Sequence, residues 1–454
     1  MEETMHKIII ILTIAVLAAA PVFLPAPAAA SIVGLTGTPG PSGTTFSFTA
    51  EQDYVQTFEG GVLQIWGLAN GAGRPQYPAP TLILYQGQTV SITLTNQLPA
   101  NTSLVFPGMS NVQASGGVPG ILAQEAEAAS ATAVTLNVVT YTFTADRPGT
   151  YQYHSGTDPD LQVEMGLVGA IVVYPAGYPA GGMTAYGTPE TAFDREYLFV
   201  ISEMDPYVHF VVEFLGAAAL ANYDYLATYK PNYWFINGRT AMDTMAADNA
   251  GYLPTQPYGA LALAEPGDRV LMRVVGGNRD LHPFHHHGAH STTIARDGRL
   301  LSTTTGPDST ADLRQTQFTL QTAPGQTIDS IYKWTGEKLS WDIYGPGPHD
   351  CKPGADGFDP TTREYCADHG KPLPVVLPEQ KFLTNGGLYS GSPFLGSLGV
   401  LPPGEGGLNP WGGFSYMWHS HTEAELVNFD LFPGGLMTML VIVPRGTLDA
   451  PMAM

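Results

Sequence analysis

The chain has 454 residues, 44% of them hydrophobic, which excludes a disordered chain and calls for two or three packed domains. Its 40 acidic against 19 basic residues give a formal charge of −21. That excludes a nucleic-acid binder and a ligand of anionic membrane surfaces, since either needs a basic face. With 13% charged residues, 52 glycines and 38 prolines, a soluble, acidic, mostly β protein with many turns is expected.

The amino terminus reads as an export signal. Lys7 precedes an apolar run over residues 8–20, broken only by Thr13, and Ala28-Ala29-Ala30 ahead of Ser31 offers small residues to a signal peptidase. The run is too short for an ordinary membrane span. Residues 1–30 are therefore expected to be a cleaved signal peptide, with a retained anchor as the alternative. No later stretch is long and apolar enough to span a bilayer, so the mature chain is expected to be exported, to the periplasm, the cell surface or the exterior.

Strand signals follow. Residues 89–96 (TVSITLTN) alternate apolar and polar, as a half-buried strand does. Residues 139–154 read as two strands around the turn Arg147-Pro148-Gly149, and 166–174 (GLVGAIVVY) as a buried strand. Residues 205–227 are the one convincing helical stretch, though their apolar spacing is irregular. Pro266-Gly267-Asp268 and Pro324-Gly325 are turns that open strands over 269–275 and 326–334, and Arg296-Asp297-Gly298-Arg299 is a hairpin turn. Strands over 414–419 and 436–443 close the chain.

The two halves end alike. The first ends YQYHSG, an acidic stretch, then GLVGAIVVYP; the second ends YMWHSH, an acidic stretch, then GGLMTMLVIVP. This is an internal repeat of a β-sandwich unit, with the boundary in the Pro/Gly-rich segment 175–189.

Cys351 and Cys366 lie in a polar, turn-rich segment. In an oxidising compartment a local disulfide is the default, contributing roughly 3 kcal/mol through loop entropy. Asp356, Asp359 and Glu364 inside that loop could hold calcium; a solvated acidic loop is the simpler reading. His349 and His369, which flank it, read as solvated too.

The chain has twelve histidines. Four fall in residues 281–288 (LHPFHHHG), His290 lies just beyond, His419 and His421 bracket Ser420, and His154 ends the matching strand of the first half. Residues two apart on a strand share a face. His285 and His287 can therefore aim together, as can His419 and His421, while His286 faces away. Two such pairs make a nitrogen site suited to copper, zinc, iron or nickel.

These residues resemble the multicopper oxidase family over about residues 45–445. HPFHHHG resembles that family's HPxHxHG motif. YHSGTDPDLQVEMGLVGAIVVYP resembles its YHSHxxxQxxxGLxGxxxV segment, and WHSHTEAE its HCHxxxH segment. Ile236-Asn237-Gly238-Arg239 resembles the turn that opens a later cupredoxin domain. The resemblance implies an all-β fold. It would comprise two cupredoxin-like Greek-key β-sandwich domains over 45–176 and 195–446, one short helical segment, and a disulfide-closed insertion near 345–375. The metal sites would lie where the sandwiches face each other, with His154 supplied by the first.

The departures are specific. Val105-Phe106-Pro107-Gly108 stands where the family has HWHG, and Gly156 replaces the partner of His154. Ser420 stands where the family has the cysteine of its blue copper site, Glu425 where it has a histidine, and Asp430 where it has the axial methionine. Met437 lies seven residues further on and reads as core. A blue copper site needs a thiolate, so none is expected. Of the eight histidines that the family's trinuclear cluster uses, His154, His285, His287, His419 and His421 remain. By motif correspondence His154, His421, His287 and His419 fall on the paired copper positions and His285 on the third. His282 is a further candidate ligand, and Glu164, Glu423 and Glu425 could add oxygens.

The implied cofactor is copper, one or two ions, with zinc as the competitor. Three functions stay open: a copper-dependent oxidase that uses oxygen and takes electrons from a small phenolic or metal-ion substrate; a copper-binding or sequestering protein without turnover; and a metal-stabilised surface or assembly protein. Two-domain relatives often share the site between subunits, which implies a homotrimer as one assembly. No competing catalytic motif of the nucleophile-elbow, P-loop or CxxC kind is present.

Overall fold

The computed structural model describes residues 32–40, 43–129, 136–306, 309–379, 389–390, 392–396 and 411–448. Residues 1–30, expected to be a signal peptide, lie outside them. Among the described residues no helix is long and apolar enough to cross a membrane.

The first unit is a pair of sheets. One runs Thr38–Gly40, Gly43–Gln56, Gln88–Asn96, Val138–Ala145 and Ser110–Gly116, with Val62–Asn70 also paired to Gly43–Gln56. The other is Gly149–His154, Val168–Tyr174 and Ala79–Tyr85. Alternation decides which side of the first sheet is inward: Val90, Ile92 and Leu94 are fully buried, and the Ser and Thr residues between them are not. Each such side chain removed from water stabilises the fold by about 1.5–3 kcal/mol.

Val168–Tyr174 is buried along its whole length, because its two faces are covered by different units. Ile171 and Val173 belong to the first unit's core, whereas Val172 and Tyr174 pack with Phe193, Leu271 and Ile294. The same boundary carries a buried polar network. Arg273 donates to Glu196 (2.9 Å) and to the Thr150 hydroxyl (3.1 Å), and that hydroxyl donates to Asp329 (2.6 Å).

The second unit repeats the plan. One sheet runs Tyr233–Ile236, Arg195–Met204, Arg269–Gly276, Thr327–Lys333, Ser291–Arg296 and Arg299–Leu300, with Gln315–Gln317 also on Ser291–Arg296. The other runs Ala262–Ala264, Met437–Ile442, Ser415–Ser420, His282–His286 and Thr319–Thr322, with Tyr389–Ser390 also on Ser415–Ser420. Phe199, Val274, Phe284, Ile328, Trp418 and Leu440 fill the space between them.

The repeat is visible in the pairing. Each unit has one parallel pair per sheet: Gly43–Gln56 with Gln88–Asn96 and Val168–Tyr174 with Ala79–Tyr85, then Arg195–Met204 with Arg269–Gly276 and Ala262–Ala264 with Met437–Ile442. Parallel neighbours cannot be joined by a hairpin, so the chain crosses between sheets, as a Greek key requires. The two similar endings are also equivalent in space. Gly149–His154 pairs antiparallel with Val168–Tyr174, and Ser415–Ser420 with Met437–Ile442.

One element is shorter than expected. The helical stretch read over 205–227 forms a helix only at Pro206–Leu215, followed by a 3-10 turn at Ala217–Leu220. Asp205 caps the helix by accepting from Tyr207 N (2.9 Å), Pro206 occupies its first turn, and Gly216 at φ 82° ends it. Its buried face, Val208, Val211 and Val212, packs on the first unit's core.

Candidate metal centre

Register places the two histidine pairs. His285 stands directly opposite His419 in the antiparallel pair of His282–His286 with Ser415–Ser420. Directly opposite residues share a face. His285 and His419 therefore project together, and His287 and His421, each two residues on, extend the same face beyond the strand ends. Gly288 ends the histidine strand at φ 101°, and a Cβ there would collide with the Tyr332 hydroxyl.

Four imidazoles converge. The ring of His285 lies 4.5 Å from that of His287, 5.5 Å from His419 and 4.8 Å from His421. His287 and His419 stack at 5.2 Å, and their Nε2 atoms are 3.0 Å apart. His285, His287 and His419 are buried, while His421 is exposed and opens the quartet to solvent. Met437 pairs with His419 from the neighbouring strand as a buried core residue. His286 faces the other way, buried against the rings of Tyr332 and Trp418.

The electrostatics favour neutral rings. Burial, then the neighbouring imidazoles His287, His419 and His421, push His285 down to about 3. Burial, then His419 and His421, push His287 to about 4. Burial also lowers His419. Neutral imidazole is the form that ligates a metal.

Three of the four rings, His285, His287 and His419, bring ligand atoms to within 4.8 Å of one another and fit a metal ion, with His421 at the rim. His419 Nδ1 donates to the Ser420 carbonyl (2.6 Å), so its Nε2 carries the lone pair that faces His287 Nε2. Neither tautomer of His287 removes the fault. One leaves two lone pairs opposed, and the other leaves the buried His287 Nδ1 without a partner; His285 Nε2 is likewise buried and unpartnered. A cation held by the His287 and His419 Nε2 atoms removes the opposed lone pairs and gives the buried His285 Nε2 a partner. Two nitrogens at about 2.0 Å from one ion lie roughly 3 Å apart, the separation observed.

His282 belongs to a different arrangement. Its even number puts it on the face of Phe284 and His286, away from the quartet. Its Nε2 is 2.9 Å from Glu203 and its Nδ1 2.9 Å from Glu425. All three side chains are at most 8% exposed. Burial alone would lower the His282 pKa, but the hydrogen bonds to Glu203 and Glu425 outweigh it and raise the value to about 10. Both nitrogens therefore hold protons. Glu425 is engaged here, and Glu423 is exposed. Glu203 was not picked out from the sequence. The signal was available: it is a carboxylate near the end of the largely apolar strand Arg195–Met204, set apart from Glu196 by six uncharged residues.

His154 lies elsewhere. It donates from Nδ1 to the Ser155 carbonyl (2.8 Å). It lines a cleft of about 360 Å³ between the two units, with Asp160, Glu164, Asn278 and Arg279. Among the described residues no hydrogen bond or ring contact joins it to the quartet. Glu164, on the same cleft, accepts from Asp205 N (2.6 Å) and the Tyr229 hydroxyl (2.8 Å).

The disulfide-closed insertion has Cys351 and Cys366 paired as expected. The solvated reading of its flanking histidines is corrected. His349 meets Glu364 at 3.1 Å and Asp342 at 3.3 Å, and His369 meets them at 2.9 and 3.5 Å. The two carboxylates are buried, His349 is half-buried and His369 is exposed, so each histidine has carboxylate partners rather than solvent alone. Asp359 accepts from the backbone of Lys352, Thr361 and Thr362, and Asp356 pairs with Arg363.

Tandem two-sheet Greek-key sandwiches define a pair of cupredoxin-like domains, the second carrying a strand-end histidine quartet. The multicopper oxidase family model matches residues 55–177 of the chain. Copper resistance protein A of Escherichia coli is 24% identical over 307 residues, which cover 62% of this chain and 44% of that protein. The chain thus matches less than half the length of that relative. Two solved structures share the fold. A multicopper oxidase called mgLAC has a TM-score of 0.52 at 16% identity, covering 88% of this chain and 86% of its own. The blue copper oxidase from Nitrosomonas europaea has a TM-score of 0.50 at 16% identity, covering 88% and 85%.

Proposed function

We propose that this chain is an exported, copper-binding protein of multicopper-oxidase type that holds its metal on His285, His287, His419 and His421, without a blue copper centre. The observation that carries the reading is the 3.0 Å approach of two imidazole nitrogens inside a buried cluster of neutral rings. The multicopper oxidase match and the likeness to a copper resistance protein support copper as the ion. So does the affinity order, which ranks copper above zinc at a nitrogen site.

The quartet residues divide the task. His285, His287 and His419 provide a preorganised buried nitrogen set, and the Ser420 carbonyl fixes the His419 tautomer. His421 leaves one side open. Bound copper supplies one-electron chemistry, and the open side admits a small phenolic or metal-ion donor directly, which favours an oxidase over a sealed storage site. In place of a thiolate relay, the chain has Ser420 on the strand and the Glu203–His282–Glu425 triad beside it. The homotrimer that the resemblance implies would bring the first unit of a neighbouring copy up to the quartet. Sedimentation velocity separates that assembly from a monomer.

Copper-loaded full chain is expected to bind copper stoichiometrically, to show no intense thiolate-to-copper absorption band, and to take up oxygen when given a phenol. Copper binding without oxygen uptake would leave a sequestering protein. An intense charge-transfer band, or no copper binding, would overturn the reading.

A further inference from the structure

A second set of ligand atoms gathers on the insertion after the strand Thr327–Lys333. Asp342, His349, Glu364 and His369 each bring one to within 4.8 Å of the others. We propose that these four residues form a second metal site, distinct from the histidine quartet, that takes a divalent ion of the zinc type in a closed, structural role.

The donor set points to this class of ion. Two imidazoles and two carboxylates are four donors, the number a structural zinc site uses, with no position left for substrate. Two negative charges balance a divalent cation. Calcium takes oxygen ligands, usually six to eight, and copper(II) prefers a tetragonal arrangement, so neither suits this cage as well. The spacing agrees too. Histidine nitrogens and carboxylate oxygens stand 2.9–3.5 Å apart. Ligands at about 2.0–2.1 Å from a tetrahedral centre are roughly 3.3 Å apart.

Burial gives an independent reason. The Asp342 side chain is 0% exposed and Glu364 1%. Among the described residues the only cationic side chains that meet either carboxylate are His349 and His369. Two buried carboxylates side by side are costly without a cation.

The ligands are also pre-aimed. His349 Nδ1 donates to the Gly347 carbonyl (2.9 Å), so the lone pair of the neutral ring sits on Nε2, facing both carboxylates. A backbone carbonyl orienting a ligating histidine in this way is a regular feature of metal sites. Asp342 is held by Tyr344 N (2.9 Å) and Gly370 N (2.8 Å). The Cys351 to Cys366 disulfide ties the segment carrying His349 to the one carrying Glu364 and His369.

The test uses the full chain with His287→Ala and His419→Ala, so that the quartet cannot contribute, and zinc or cobalt(II) as the probe. That protein is expected to retain one zinc per chain after desalting and to give a tetrahedral cobalt spectrum. Adding His349→Ala and His369→Ala should reduce retained zinc from one to none. Glu364→Gln, nearly isosteric, should do the same, and it decides the matter if the alanine variant fails to fold. No zinc retained in the quartet-free chain would overturn the proposal. So would undiminished zinc in Glu364→Gln.

Discussion

Replacing both His287 and His419 with alanine is expected to abolish copper retention at the quartet, measured in chains that also carry Glu364→Gln so that the insertion cluster cannot contribute. These two rings supply the nitrogens 3.0 Å apart, and His285 and His421 alone cannot enclose an ion. Fold stability should change little in the metal-free protein, because both rings project from the sheet face opposite Phe284 and Trp418. Copper per chain after desalting is the measurement, with His290→Ala as a control on an exposed ring nearby. Copper content unchanged in the double variant would make the quartet structural, and the proposed function would fall with it.

His282→Ala should act on stability. It leaves Glu203 and Glu425 buried without their shared cation, a change that typically costs about 3–5 kcal/mol, a large part of a domain's usual 5–15 kcal/mol. The effect has a pH signature. The folded pKa of about 10 lies above the ordinary value of 6.5. The triad's contribution is therefore complete below about pH 6.5 and is lost as pH rises towards 10. Urea unfolding of the metal-free wild type should show falling stability from pH 6.5 to 10, and His282→Ala should remove that slope. Equal slopes in the two proteins would mean that the imidazolium is not what holds the triad together.

The quartet and the triad were unequally legible in the sequence. Period-two alternation alone put Val90, Ile92 and Leu94 on one face. The same rule put His285 with His287 and His419 with His421. Nothing local shows that His285 stands opposite His419, because that register comes from pairing two strands far apart in the chain. Parity separates His282 from the quartet, but its partner Glu203 is 79 residues away on the other sheet. The Asp342, His349, Glu364 and His369 cluster was invisible for a related reason. Loop residues carry no periodicity, and charged loops are usually solvated. Here Asp342, ahead of the disulfide loop, and Glu364, within it, are buried side by side. The helix illustrates the opposite case. Asp205, Pro206 and Gly216 mark its ends, and the irregular apolar residues beyond Gly216 extended the reading too far.

X-ray absorption at the copper edge of the copper-loaded full chain tests the central claim most directly. A histidine-only quartet predicts a first shell of nitrogen at about 2.0 Å with imidazole outer-shell scattering and no sulfur. A sulfur shell at about 2.3 Å, or a shell without imidazole scattering, would contradict it.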